Sequence, residues 1–384
     1  MTKAVSLTQE VKALGQTVLV LQGGGALGAY QVGVYEALHE AGIEPDWVIG
    51  TSIGAINAAL IAGSKPGERI EKMCDFWSRV QNDRFVPGGL PNWVESAVRN
   101  MQAIAGGVPN FFSPNPMAFL SPHQPLGPEA AGYYSVNRLR HTLSELVDLD
   151  QLNHGGIRIT VGASCVRTAE MRYFDSRDMP LELDHIMASG ALPPAFPPVR
   201  IDGELYWDGG ILSNTPVEVV FDDKPRRDSL VLAVHIWNPH GPEPDTIWEV
   251  MNRQKDVQYS SRAVSHIQRQ RQIHRLRHII AELSKMLPDD KRRNNEVAEM
   301  AAYGCLTRMH VVRLLAPALD HEDHSKDIDF SSEGIRRRRE AGYRDTMETL
   351  KKAPWREPVD ELEGFVLHEA KGGQMVETPA ARGQ

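Results

Sequence analysis

Apolar and polar positions along this chain fall into blocks whose period switches between strand and helix. Val18-Leu19-Val20-Leu21 is an unbroken apolar run of strand length, as a strand covered on both faces requires. Over residues 26–41 the apolar positions move to helical spacing, with Leu27, Tyr30, Val34, Leu38 and Ala41 along one face. Gly42 follows as the helix stop. Trp47-Val48-Ile49 is a second strand, and residues 53–62 are apolar almost all round with small residues interspersed. That texture predicts a central helix packed closely on a sheet. Strand, helix, strand, helix at this rhythm predicts a right-handed parallel α/β unit.

Residues 70–80 continue as a surface helix, and then the pattern changes. Residues 85–134 are rich in Pro, Gly and aromatic residues, with Phe111-Phe112, Pro114, Pro116 and Phe119 among them. A long irregular insertion of this kind is either a lid or wall over a site or a loop packed on the core. Its apolar content favours a lid or pocket wall, with Phe111, Phe112 and Phe119 as candidate pocket residues. Regular patterning resumes with a helix over 136–147, strands over 157–161 and 171–174, and a short helix over 183–189. A hairpin around Asp202-Gly203 leads through Leu205-Tyr206-Trp207 into Asp208-Gly209-Gly210, and residues 230–236 form a strong buried strand. After Asn238 the chain reads as mostly helical, over 247–287 and 335–350, with one more strand candidate at 309–315. The tail from 358 to 384 has the composition of a poorly ordered terminus.

Composition narrows the function classes. The chain has 384 residues, 41% hydrophobic and 24% charged, with a formal charge of −8. That balance argues against bulk attraction to nucleic acid. No run has the length of a transmembrane helix. The first sixteen residues are polar and lack a signal core. Cys74, Cys165 and Cys305 show neither paired nor metal-like spacing. A cytoplasmic setting without metal or cofactor is the expectation.

Two glycine-rich turns carry the candidate chemistry. Gly23-Gly24-Gly25-Ala26-Leu27-Gly28 follows the first strand and opens the first helix, so its backbone N–H groups favour negative charge. Gly23-x-Gly25-x-x-Gly28 also fits the dinucleotide fingerprint. That fold wants an acidic residue at the end of the next strand, and here Asp46 lies at its start. Gly50-Thr51-Ser52-Ile53-Gly54 is a G-x-S-x-G elbow, which lifts a serine hydroxyl out of a tight strand-to-helix turn. A serine needs a base. None of the fourteen histidines stands in a setting that marks it as that base; His39, His185 and His235 read as surface or structural residues. Asp208, at a strand end before two glycines, is the stronger candidate, because a carboxylate touching a serine in a partly dry pocket can take its proton. The competing reading of Asp208-Gly209-Gly210 is a plain turn.

Together, in this order, Gly23-Gly24-Gly25-Ala26-Leu27-Gly28, Gly50-Thr51-Ser52-Ile53-Gly54 and Asp208-Gly209-Gly210 resemble the three blocks of the patatin-like phospholipases. Ala188-Ser189-Gly190-Ala191-Leu192-Pro193 is similar to the family's segment ahead of the aspartate. The resemblance implies a three-layer α/β/α sandwich with a mostly parallel central sheet over residues 17–237. It implies a Ser52–Asp208 dyad, an oxyanion hole at Gly23, Gly24, Gly25 and Gly28, and an elbow held by Gly50 and Gly54. The implied reaction is metal-free hydrolysis of lipid acyl esters. Leu27 stands where the family's loop commonly carries Arg or Lys, which removes a local positive charge and leaves the backbone donors. Residues 238–357 would be a helical extension, whose Ala341-Gly342-Tyr343-Arg344-Asp345 resembles one found on some bacterial members.

A silent lipid-binding or scaffold protein on the same fold, and an esterase for storage polyesters, are the competing functions. One further feature bears on partners. Arg262, Arg269, Arg271, Arg275 and Arg277 lie in a stretch with no acidic residue. This helix either rests on an anionic membrane surface or packs against the domain with a solvated basic face.

Overall fold

The computed structural model describes residues 6–83, 98, 101–319, 322, 324–359, 363–371 and 374–376. Residues 85–97 and 99–100 of the proline-rich insertion lie outside the described residues, as do 360–362, 372–373 and 377–384 of the tail. The strands in chain order are β1 (Gln16–Leu21), β2 (Trp47–Gly50), β3 (Ser113–Pro114), β4 (Tyr134–Ser135), β5 (Arg158–Cys165), β6 (Met171–Asp175), β7 (Val199–Ile201), β8 (Glu204–Asp208), β9 (Ser229–His235), β10 (Met309–Leu315), β11 (Phe365–Lys371) and β12 (Gln374–Val376). Ten of them form one sheet in the order β12-β11-β10-β9-β1-β2-β5-β8-β7, with β6 also pairing β5. Pairing from β11 through β5 is parallel, and antiparallel strands close both ends. The central strands carry unbroken apolar runs because helices cover both of their faces.

After the N-terminal helix α1 (Leu7–Ala13), one face buries Leu19, Leu21, Val48 and Leu232 with the helices α2 (Ala29–Glu40), α3 (Ile53–Ala62) and α4 (Arg69–Arg79). The other buries Val18, Val20, Ile49 and Val231 with Phe221 and with Ile267 of the long helix Ile247–Met286. This is the three-layer sandwich. All ten residues of α3 are buried, which is why that segment has no polar face.

The chain beyond residue 237 brings the expected helices, Ile247–Met286 and Ser332–Lys352 among them, and also adds strands to the sheet. β10 pairs with β9 in the middle of the sheet. The tail expected to be poorly ordered contributes β11, which continues the parallel ladder from β10. Phe365 is fully buried and packs on Phe221 with ring centroids 5.2 Å apart. An edge that would otherwise expose unpaired backbone is thereby covered. The helix Ser332–Lys352 covers the outer side of α2, and so α2 is buried nearly all round. The two helices cross at Gly33 and Gly342. A Cβ on Gly33 would meet the Arg339 carbonyl oxygen at 1.9 Å, and one on Gly342 the Tyr30 carbonyl oxygen at 2.0 Å. Beside the crossing, Tyr30 donates to Asp345 at 3.1 Å and Arg339 pairs with Glu36 at 2.7 Å. The Ala341–Asp345 run is thus a helix-crossing device. Arg338, within a run of four arginines, is buried against Glu322 and Asp329.

Candidate active site

Ser52 sits where β2 hands over to α3, with φ 56° and ψ −125°. A non-glycine residue in that region stores strain of about 1–3 kcal/mol and persists only when its surroundings hold it. Here they do. The Ser52 N–H donates to both the carbonyl and the hydroxyl oxygen of Ser189, each at 3.1 Å, and the Ser189 hydroxyl donates onward to the Gly162 carbonyl at 2.6 Å. Gly54 lets the first turn of α3 press on the sheet, since a Cβ there would lie 2.2 Å from the Leu21 carbonyl oxygen. Ser189 belongs to the short helix Leu183–Ser189, whose function is therefore to pin the elbow.

Asp208 ends β8, and its partner on β5 is Ala163. Its N–H donates to the Ala191 carbonyl at 2.9 Å, and the Ser164 hydroxyl donates to its carbonyl at 3.1 Å. One carboxylate oxygen accepts the Gly210 N–H at 2.7 Å. Ser52 lies beside this carboxylate and lines the same cavity. Burial pushes the Asp208 carboxyl from 3.8 up to about 6, while the nearby Ser52 hydroxyl and the Gly210 N–H pull it down. The group is therefore ionised at neutral pH and more basic than a solvated aspartate.

The glycine loop is held from three sides. The Gly23 N–H donates to the Asn214 carbonyl at 3.2 Å, and the Gly23 carbonyl accepts from Asn214 Nδ2 at 3.0 Å and from Trp237 Nε1 at 2.7 Å. The Ala26 N–H donates to the Asp327 carbonyl at 2.8 Å. Among the described residues, the N–H groups of Gly24 and Gly25 make no hydrogen bond within the protein. Both glycines line the same cavity as Ser52. Behind the loop lies a chain of buried amides. Trp77 Nε1 donates to Asn57 Oδ1 at 3.0 Å, Asn57 Nδ2 donates to Gln31 Oε1 at 2.8 Å and to the Gly28 carbonyl at 3.0 Å, and Gln31 Nε2 donates to the Gln22 carbonyl at 2.6 Å. Gln22 in turn donates to Thr215 at 2.8 Å and accepts the Ile236 and Trp237 N–H groups at 2.6 and 3.0 Å.

Ser52, Asp208, Gly23, Gly24 and Gly25 share a cavity of about 250 Å³ with Phe111, Phe112, Phe196 and Phe330. That is slightly below the roughly 300–1,000 Å³ of common small-molecule sites. The described part of the insertion is a wall: Phe111 and Phe112 belong to the main core and pack on Phe196 with centroids 6.4 and 5.4 Å away. Two expected site residues, Phe119 and Gly28, stand elsewhere, and so does Leu27, which replaces the family's basic residue. Phe119 is 51% exposed, outside the cavity, against Tyr133 and Tyr134. Gly28 does not line the cavity; a Cβ on it would meet Ile53 Cγ1 at 2.5 Å, so it spaces α2 from α3. Leu27 is buried in the core.

Sequence reasoning missed Asn214, Trp237, Tyr259, Asp327 and Phe330, all of which line the cavity. Ser213-Asn214-Thr215-Pro216, just after the glycines, has turn composition and could have marked Asn214. The others come from far along the chain and carry no local signal. Tyr259 stacks on Trp237 with centroids 4.9 Å apart, and Lys255 pairs with Asp327 at 2.6 Å. The long helix therefore belongs to the site. Its basic stretch packs as the domain-packing alternative expects: Ile267, His274 and His278 are buried, and Arg271 and Arg275 face Glu363 at 2.7 and 3.8 Å. The Arg262 side chain lies outside those described. Among the described residues no histidine lines the cavity, no group of three or more His, Cys, Asp or Glu is arranged to hold a metal ion, and no helix is long and apolar enough to cross a membrane.

Comparison with known proteins bears on this geometry. Patatin-like phospholipase domain-containing protein 6 of Mus musculus is 40% identical over 74 residues, 19% of this chain and 6% of that protein. An uncharacterised NTE family protein of Mycobacterium tuberculosis is 29% identical over 221 residues, 57% of this chain and 30% of the relative. Lysophospholipase nte1 of Aspergillus terreus is 66% identical over 44 residues, 12% of this chain and 3% of that protein. The chain thus spans 30% or less of each of these relatives. Among solved structures, VipD from Legionella pneumophila aligns with TM-score 0.39 and 17% identity over 88% of this chain and 67% of that one. A family model described as patatin phospholipase matches residues 257–362. Another, described as patatin-like phospholipase, matches residues 19–221, more than half of the chain and all three of its glycine-marked blocks, and the protein belongs to that family.

Proposed function

We propose that the protein is a serine acyl-ester hydrolase acting on lipids through Ser52 and Asp208. The observation that carries this reading is that Ser52, at its strained elbow, shares an apolar cavity with the buried carboxyl of Asp208, which is pushed up to about 6. Asp208 takes the hydroxyl proton as the Ser52 oxygen attacks the acyl carbonyl. The negative charge that forms on the carbonyl oxygen is received by the Gly24 and Gly25 N–H groups, which are held in place before reaction by Asn214, Trp237 and Asp327. Asp208 then gives the proton to the departing alcohol, leaving an acyl ester on Ser52. Water, deprotonated by Asp208, attacks that ester and releases the carboxylic acid and the serine. Donors fixed in advance need no reorientation during the reaction, so loss of the loop's basic residue at Leu27 leaves the acyl-transfer step with its stabilising groups. The apolar walls suit an acyl chain. A cytoplasmic setting belongs to the same reading, with the three cysteines free.

A fluorophosphonate probe tests the assignment. The intact protein is expected to label at Ser52, and Ser52→Ala should lose both labelling and ester hydrolysis while its circular dichroism spectrum is unchanged. Labelling that persists on another serine would remove Ser52 from this role. A lipid panel read by mass spectrometry then decides among phospholipid, neutral lipid, short-chain ester and storage polyester.

A further inference from the structure

The wall of the cavity continues outward into a surface with an unusual composition. Residues 101–128 contain no Asp, Glu, Lys or Arg, in a chain that is 24% charged. His123 is the one titratable side chain in that run. Several of its large apolar side chains face water: Met101 is 72% exposed, Leu120 76%, Phe119 51%, Ile104 50% and Met117 49%. A solvent-facing stretch ordinarily pairs such residues with charges, and a sizeable contiguous apolar patch on a soluble protein marks an interaction site.

The patch is continuous with the cavity. Ile104 both lines the cavity and reaches the surface. The Tyr134 hydroxyl donates to the Ile104 carbonyl at 2.9 Å, Tyr134 lines the cavity too, and Phe119 packs on its ring with centroids 5.9 Å apart. Behind the patch, Ala103, Phe111, Phe112 and Ala118 are buried, so the segment is anchored to the core by one side and apolar on the other. Charge returns at Glu129, which pairs with Arg200.

We propose that this surface is where the protein docks onto a lipid bilayer, with Met101, Met117, Phe119 and Leu120 entering the boundary between headgroups and acyl chains. The bilayer is the occupant because the absence of charge removes the desolvation cost that would resist insertion. Tyr133 and Tyr134 stand at the base of the patch, the position amphipathic rings take at a membrane interface. An acyl chain leaving the bilayer at Ile104 would pass from one apolar environment to another on its way to Ser52. The lipid class of the substrate rests on the hydrolase reading above; the docking itself does not require turnover. It also moves membrane contact away from the arginines of the long helix, two of which are engaged with Glu363.

The test uses the full chain carrying Ser52→Ala, floated with vesicles of neutral phosphatidylcholine at low and high salt. Binding is expected at both salt levels. Adding Met101→Glu and Leu120→Glu should weaken it roughly tenfold or more, and Met101→Ser with Leu120→Ser should weaken it in the same direction by less. The same pairs with Ser52 intact should hydrolyse a soluble short-chain ester within about twofold of the parent and melt at the same temperature, as surface substitutions do. Unchanged binding in both pairs would overturn the proposal. So would binding confined to anionic vesicles and lost at high salt, which would return the contact to the basic helix. Concentration-dependent self-association without vesicle binding would assign the patch to a second copy of the chain and equally end it. Vesicle binding that survives while the unsubstituted protein fails to label at Ser52 would sink the hydrolase reading and leave this surface standing.

Discussion

Behind the glycine loop, Gln22, Gln31, Asn57 and Asn214 are polar, buried and bonded to named partners. Around the mouth of the same cavity, Met101, Met117, Phe119 and Leu120 are apolar and face water. The floor inverts one ordinary preference and the rim inverts the other. A buried amide is tolerable only when every donor and acceptor is matched, and matched groups cannot move independently. The floor is therefore rigid, as fixed donors for a developing charge require. The rim carries no such constraint and keeps apolar area available to a partner. Under the function and the docking proposed above, the contrast separates two tasks: stabilising a charge at one atom, and meeting a lipid surface of variable shape.

The sharpest way to break this comparison is at Asp208. Asp208→Asn should lower turnover by about two to four orders of magnitude, the range expected for loss of a base. It should also stabilise the fold at neutral pH. The Asp208 carboxyl is raised from 3.8 to about 6 in the folded protein, so its ionisation costs the native state above that range. The cost is full above pH 6, shrinks as pH falls through 6 to 4, and vanishes below, giving the variant an advantage on the order of 2–3 kcal/mol at pH 7 and none at pH 3. Urea denaturation at the two pH values measures it, and the parent's kcat/KM should drop about tenfold per unit below pH 6. A variant less stable than the parent at pH 7 would show that the floor is not strained by this charge.

Asn57→Leu is the next largest effect. It leaves the Trp77 Nε1 donor, the Gln31 Oε1 acceptor and the Gly28 carbonyl without their partner. Orphaned buried groups cost about 1–3 kcal/mol each, less whatever water recovers, so a loss of roughly 2–4 kcal/mol in denaturation free energy is expected. A change under half a kcal/mol would mean the amide chain can be replaced by packing. The smallest effect belongs to the wall between floor and rim. Phe112→Leu removes part of a cluster with Phe111, Tyr134 and Phe196. Chain-length preference in a series of acyl esters should shift on the order of tenfold, with a stability loss of about 1–2 kcal/mol. An unchanged chain-length profile would detach this wall from the acyl group.

The elbow and the strand-end aspartate above this floor were legible from local sequence because their requirements are local, whereas the buried amides of the floor were not. A serine at positive φ between Gly50 and Gly54 and an aspartate before Gly209-Gly210 are written in adjacent residues, since neighbouring backbone decides which turns are allowed. The helical period of α2 and the all-apolar α3 were legible for the same reason. The outcome for Gly28 shows the limit. Its pattern matches the loop, yet its contact is Ile53, and a pattern does not say which side of a turn faces the ligand. Phe119 shows it again, because composition marks a segment as apolar without telling wall from outer surface.

The parallel α/β core, the elbow at Ser52, the position of Asp208 at a strand end and the glycine loop's place between β1 and α2 can all be read along the chain. Each follows from backbone sterics and hydrophobic period over a few residues. It took the tertiary fold to leave the Gly24 and Gly25 N–H groups unbonded among the described residues while Gly23 is tied to Asn214, and to hold Ala26 by Asp327 from some three hundred residues away. Only it decided that β10 and β11 extend the sheet and that Gly33 meets Gly342. These depend on which distant segments bring matching donors, acceptors and shapes to one place, and no periodicity along the chain records that.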